Sequence, residues 1–214
     1  MSSPRTMAID PDAVLWSADE HERVDRPLLV MMHGWSYDET HLFRVAPRLP
    51  PELVIASVRA RTAEAGGYAW FPSAGNPIGN PRPRVANTAT DEVMTWLDTL
   101  RTPSSIGLLG FSQGGAMALQ LMRHAPGRFA YAVNLAGFVV DDAQPGDQEL
   151  VRSRPPVFWG RGEHDGVIPT SALVRTSGWL AGHATADIRV YPRLGHDVAG
   201  QEVGDLAAFI AAQI

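Results

Sequence analysis

The stretch Leu108–Gln120, LLGFSQGGAMALQ, sets a serine where an apolar run stops and a helical run starts. Ser105 to Leu109 reads as a buried strand, and Ala116 to Met122 is built from strong helix formers with Met117 and Leu121 on one face. Ser112 therefore belongs to the turn between them. Gly110 and Gly114, two residues to either side, let the backbone bend sharply and let strand and helix pass close together. That geometry pushes the hydroxyl out of the fold. A Gly-x-Ser-x-Gly match is weak on its own; the order strand, tight turn, helix is the context that gives it meaning.

Working outward, the chain repeats this alternation. LLVMMHG from Leu28 and LVIASV from Leu53 are continuous apolar runs of the kind buried on both faces, and SIGLLGF from Ser105, YAVNLAGF from Tyr131, PPVFWG from Pro155 and ADIRVYP from Ala186 continue the series. Between them apolar residues recur at helical spacing: Val85, Ala89, Val93, Trp96 and Leu100, then Val203, Leu206, Ile210 and Gln213 or Ile214. Strands alternating with helices predict an α/β fold with a mainly parallel central sheet covered by helices on both faces. Two regions break the rhythm. Residues 62–83, rich in Gly and Pro, and the polar residues 141–149 read as loops. The first is long for a compact domain, the sign of a functional surface loop or of disorder, and its Tyr68, Trp70 and Phe71 argue against a solvated linker.

Composition bounds what such a chain can do. With 214 residues, 45% of them hydrophobic, it can bury a sizeable core as one domain spanning residues 1–214. A net charge of −5 with its 18 basic residues scattered leaves no footprint for nucleic acid. There is no cysteine, hence no disulfide, thiolate metal site or cysteine nucleophile. The first residues, MSSPRTMAIDPDAV, lack the pattern of a secretory signal, and no apolar run is long enough to span a membrane, so a cytoplasmic location is expected.

Functional groups of an α/β sheet gather at the carboxyl ends of its strands. A serine hydroxyl is a poor nucleophile until a base takes its proton, and a carboxylate orients that base. His196 follows the strand ADIRVYP across a short loop, and Asp165 lies just beyond PPVFWG. The order Ser, Asp, His is the one used by α/β-hydrolases. Each assignment has rivals: His164 and His183 for the base, Glu163 and Asp197 for the acid. His183 ends a helix, where a cation needs no catalytic explanation, and Asp197 adjoins His196 too closely to reach the far ring nitrogen. Attack on a carbonyl also needs donors for the oxyanion. The amide of Gln113 at a helix N-terminus is one candidate. The amide of Trp35, in the loop MMHGWSYDE after an early strand, is the other, with Gly34 supplying the backbone freedom to turn it inward.

Together GFSQGGAMAL, MHGWSYDE, GGYAWF, GEHDGVIP and LGHDV resemble the phospholipase/carboxylesterase family of α/β-hydrolases, which includes bacterial carboxylesterases and acyl-protein thioesterases. The resemblance runs from about Leu28 to the C-terminus. It implies an α/β-hydrolase fold without a large lid domain, a Ser112–Asp165–His196 triad, an oxyanion hole from the amides of Trp35 and Gln113, no metal or cofactor, and hydrolysis of carboxylic esters through an acyl-enzyme. The thioesterase branch usually carries Leu-Gly-Asp after its His-Gly pair; Trp35-Ser36-Tyr37-Asp38 looks more like the bacterial esterase branch. Trp35, Tyr68, Trp70 and Phe71, with Val167 and Ile168 beside Asp165, are expected to wall a substrate pocket suited to short, medium or aromatic acyl groups. The expected partner is a small-molecule ester. Thioesters, lysophospholipids, lactones and amides share the same chemistry, a non-catalytic binding module is the non-enzyme alternative, and monomer and homodimer both remain open.

Overall fold

The apolar runs become neighbouring strands because each is too apolar to face water on either side. The computed structural model describes residues 9–101 and 103–214. Its chain order begins β1 (Val14–Trp16), β2 (Leu28–Met32), α1 (Thr40–Phe43), β3 (Val54–Val58), a hairpin of β4 (Thr62–Glu64) and β5 (Gly67–Ala69), and α2 (Pro83–Leu97). It continues with β6 (Ile106–Phe111), α3 (Gln113–His124), β7 (Tyr131–Leu135), α4 (Asp147–Ser153), β8 (Pro156–Gly162), α5 (Thr170–His183), β9 (Thr185–Tyr191) and α6 (Gly200–Ala211). Seven strands form one sheet in the order β1-β3-β2-β6-β7-β8-β9. All run parallel except β1, which pairs antiparallel with β3 at one edge. This is the α/β-hydrolase architecture, with no large lid evident among the described residues.

Helices cover both faces, and the two-residue period of the strands divides the core between them. In β2, Val30 and Met32 enter the layer shared with α2, α3 and α5, while Leu29 and Met31 enter the layer closed by Leu206 and Ile210 of α6. β2, β3 and β7 are buried throughout, whereas the outer strand β9 leaves Ile188 and Val190 exposed. Among the described residues no helix is long and apolar enough to cross a membrane.

Four readings need correction. Residues 62–83 are not loop throughout: they begin with the β4–β5 hairpin, whose Ala65–Gly66 turn takes positive φ at both positions, 52° and 83°. Within 141–149 the chain already turns into α4 at Asp147. The helix expected to reach Leu100 ends at Leu97, and the last helix ends at Ala211, before Gln213 and Ile214.

One charged group lies deep in this frame. The Arg123 guanidinium, with its side chain 2% exposed, is gripped by both carboxylate oxygens of Asp147 at 2.8 Å, by the carbonyl of Val140 at 3.0 Å and by Gln120 at 3.1 Å. It ties α3 to α4 and to the segment after β7. Burial pushes the Asp147 carboxyl up, but the hydrogen bonds and charge of Arg123 outweigh it and hold the group below its usual range. Its stabilisation is therefore present above the unfolded carboxylate pKa and is lost as pH falls through the lower folded value. Asp147→Ala leaves a buried cation without its partner and should destabilise the fold by about 3 kcal/mol, as read from urea unfolding at neutral pH; the deficit should shrink in strong acid.

Candidate active site

At the carboxyl ends of the strands the site begins with steric crowding. A Cβ on Gly110 would stand 2.0 Å from the Gly114 carbonyl oxygen, and one on Gly114 would stand 1.9 Å from the carbonyl oxygen of Met32. These glycines are needed for close approach, and the sharp bend itself falls on Ser112, at φ 54° and ψ −114°. This left-handed conformation is rare for any residue with a side chain. The Ser112 amide donates to the Leu135 carbonyl at 2.8 Å and its carbonyl accepts from Ala116 at 3.0 Å, so the bend is held from both sides. The first amides of α3, Gln113's among them, have no intrahelical acceptor, and they bring partial positive charge beside the serine.

Two other strand ends deliver the groups that face Ser112. Its Oγ lies 2.9 Å from His196 Nε2, and His196 Nδ1 lies 2.7 Å from Asp165 Oδ2. Because Asp165 accepts at Nδ1, that nitrogen carries the proton, leaving Nε2 free to accept from the serine hydroxyl. Asp165 Oδ1 accepts the amides of Val167 at 2.8 Å and Ile168 at 3.2 Å, so all of this carboxylate is engaged; its side chain is only 2% exposed. The ring of Phe111 packs against His196 with centroids 4.9 Å apart. Two of the rival groups lie elsewhere. Asp197 points outward toward Arg44 at 3.9 Å, and His183 stacks on Trp179 at the end of α5.

The loop after β2 is positioned by a buried histidine. His33 Nε2 accepts the Ala60 amide at 3.0 Å, which puts the ring proton on Nδ1, and Nδ1 donates to the Gly34 carbonyl at 2.7 Å. Burial pushes the His33 pKa down to about 4, so the ring is neutral at ordinary pH. The carbonyl of Gly34 and the amide of Trp35 belong to one trans peptide and point in opposite directions. By fixing that carbonyl, His33 fixes the direction of the Trp35 N–H. Gly34 itself does not take positive φ; Ser36 does, at 64°, while a Cβ on Gly34 would meet the Phe111 ring at 2.8 Å. The Gln113 side chain completes the frame, accepting the Trp70 amide at 3.1 Å and donating to the Phe71 carbonyl at 2.9 Å.

Ser112 and His196 open into a cavity of about 440 Å³ whose apolar walls include Trp35, Phe71, Phe111, Phe138, Ile78 and Val167. No Asp, Glu, Lys or Arg lines it among the described residues. Of the six residues expected to wall it, Trp35, Phe71 and Val167 do; Tyr68, Trp70 and Ile168 do not. Successive side chains of the extended 68–71 segment alternate, so Trp70 turns into the core and donates its indole N–H to the His33 carbonyl at 2.8 Å while Phe71 turns to the cavity. Tyr68 lies under the Arg59 guanidinium, 4.7 Å from its ring, and Ile168 is buried beneath the start of α5. Phe111, Phe138 and Ile78 went unread. Phe111 stood inside the GFSQG motif and Phe138 just past a strand end, so position was the available signal for both.

A match to the family described as phospholipase/carboxylesterase covers residues 19–214. Acyl-protein thioesterase 1 of Saccharomyces cerevisiae is 26% identical over 145 residues, 66% of this chain and 64% of that protein's length. The Bacillus cereus carboxylesterase structure superposes with a TM-score of 0.79 at 19% identity, covering 94% of each chain. A carboxylesterase from Mesorhizobium loti superposes with a TM-score of 0.75 at 20% identity, covering 97% of this chain and 96% of that one. At these identities the two structures speak for the fold.

The strain at Ser112 can be measured. At an ordinary position Ala is more stable than Gly by about 0.5–1 kcal/mol. Here Ser112→Gly should melt at a higher temperature than Ser112→Ala, because only glycine relaxes at φ 54°.

Proposed function

Because the chain belongs to the phospholipase/carboxylesterase family, we propose that it is a single-domain serine hydrolase of uncharged carboxylic esters with short- to medium-chain or aromatic acyl groups. The observation that carries this reading is the unbroken relay from Asp165 through His196 to Ser112, at 2.7 and 2.9 Å, opening on an apolar cavity. In the proposed reaction His196 Nε2 takes the Ser112 proton as Oγ attacks the ester carbonyl. Asp165 stabilises the imidazolium, and the amides of Trp35 and Gln113 receive the oxyanion. His196 then protonates the leaving alcohol, giving an acyl-enzyme. Water deprotonated by the same ring attacks that ester, and collapse returns the acid and the free serine. No step calls for a cofactor.

The yeast relative favours thioesters as a second substrate class, since the same attack expels a thiol. A cavity of about 440 Å³ suits a small acyl group better than a long lipid chain.

p-Nitrophenyl esters from acetate to palmitate, with matched S-acyl thioesters, test the reading. The wild type should turn over short and medium chains best, and Ser112→Ala should lose at least about 10³-fold in kcat. Activity that survives the substitution would overturn the triad. His33→Phe, which keeps a buried ring but cannot hold the Gly34 carbonyl, should lower kcat about tenfold to a hundredfold with little change in KM. Burial keeps His33 neutral down to about pH 4, so its hold on the Gly34 carbonyl should be intact above about pH 5, and the His33→Phe deficit in kcat should be constant across that range.

A further inference from the structure

The outer wall of the cavity is made of surface segments, and one carboxylate that does not line the cavity joins them. Glu64 ends β4 beside the hairpin turn. Its Oε2 accepts the Trp35 indole N–H at 3.1 Å, both of its oxygens lie 3.1 Å from the Ser73 amide, and the Ser73 hydroxyl donates to Oε1. Trp35 and Ser73 both face the cavity. The bond from the Ser73 hydroxyl pulls the Glu64 carboxyl below its usual range, against a smaller opposing effect of burial, so the group is an anion at neutral pH and accepts from all three donors.

The backbone beneath is held by other means. Ser36 donates to the Tyr68 carbonyl at 2.9 Å and Tyr68 to the Tyr37 carbonyl at 2.8 Å, and a Cβ on Gly67 would stand 2.1 Å from the Ser36 carbonyl oxygen. The Trp35 amide is aimed by His33 through the Gly34 carbonyl. Glu64 therefore acts on the Trp35 ring and on the start of the segment containing Asn76 and Ile78, and leaves the amide alone. The rim of this wall is itself apolar and open: of the lining residues, Tyr37 is 46% exposed and Ile78 60%. A chain too long for the cavity would meet that apolar rim.

We propose that Glu64 sets the size limit of the cavity, clasping the Trp35 indole to Ser73 so that short acyl chains fit and longer ones are stopped. The proposal rests on the serine-hydrolase reading, deepens it, and assigns the substrate as a neutral ester whose length is limited by a hydrogen-bonded wall rather than by the core.

Two measurements test it. Alkylphosphonate p-nitrophenyl esters with ethyl or octyl chains phosphonylate an activated serine and release p-nitrophenol, so their rates compare chain lengths at Ser112 directly. Glu64→Ala should raise the octyl-to-ethyl rate ratio about tenfold, on the scale at which methylenes count in apolar pockets. Glu64→Gln, which keeps one acceptor oxygen, should raise it less. Trp35→Phe, which keeps a ring but loses the N–H, should add little in the Glu64→Ala background. Amide hydrogen exchange at Ser73 should quicken in Glu64→Ala. Unchanged exchange would overturn the clasp whatever the chemistry, and quickened exchange with an unchanged ratio would overturn its role in size selection. A wild type that neither probe labels at Ser112 would overturn the serine reading and the size limit with it, while exchange would still report whether the wall is held by Glu64.

Discussion

The contact among Gly110, Gly114 and the Met32 carbonyl governs the rest of the site. Two strands and a helix meet there with no room for a methyl group, and the chain passing between them has one way through, a left-handed residue at position 112. The strain this stores is of order 1–3 kcal/mol, small against the apolar burial of β6 and α3, whose residues are almost all inaccessible to water. The fold can therefore hold Ser112 in a conformation that a free chain would abandon. The serine stands proud of the sheet, with the open amides of α3 next to it.

What surrounds the serine is held less by the core than by buried polar groups that each bind two segments. His33 joins the loop after β3 to the loop after β2, Gln113 joins the elbow to residues 70–71, and Asp165 joins its own loop to His196. Each of these loops is too short to have a core of its own. Where apolar packing is unavailable, hydrogen bonds shielded from water take over its role, and they fix direction as well as distance. The neutral state of His33 belongs to this logic: a charged ring could not accept from Ala60 and would carry an uncompensated charge in the interior.

Much of this was legible in the residues. Strands buried on both faces announce themselves as runs such as LLVMM and VIASV, and a serine between glycines at a strand-to-helix change names the elbow. Position just past a strand end, together with chain order, singled out Asp165 and His196, and the structure brings both to Ser112. The illegible parts share a cause. β1, β4 and β5 have three residues each, too few for a period to register; β1 exists because the longer β3 offers it an edge, and β4 and β5 because a tight turn folds them onto each other. That Trp70 faces inward and Phe71 outward depends on the phase of an extended segment, which is set by its bonds to Gln113 and His33 and not by composition. Glu64 drew no reading, since nothing local marks a carboxylate whose partners, Trp35 and Ser73, lie 29 and 9 residues away.

The uncharged lining of the cavity bears on how a catalytic cycle would end. A neutral ester enters apolar surroundings at little electrostatic cost, but its acid product is an anion at neutral pH and would have to shed hydration to stay, with no Arg or Lys among the described lining residues to compensate it. Such a cavity distinguishes what it takes in from what it makes by charge alone. On the proposed chemistry the product is driven out by the same walls that admit the substrate, and the site clears itself for the next turnover without a moving part.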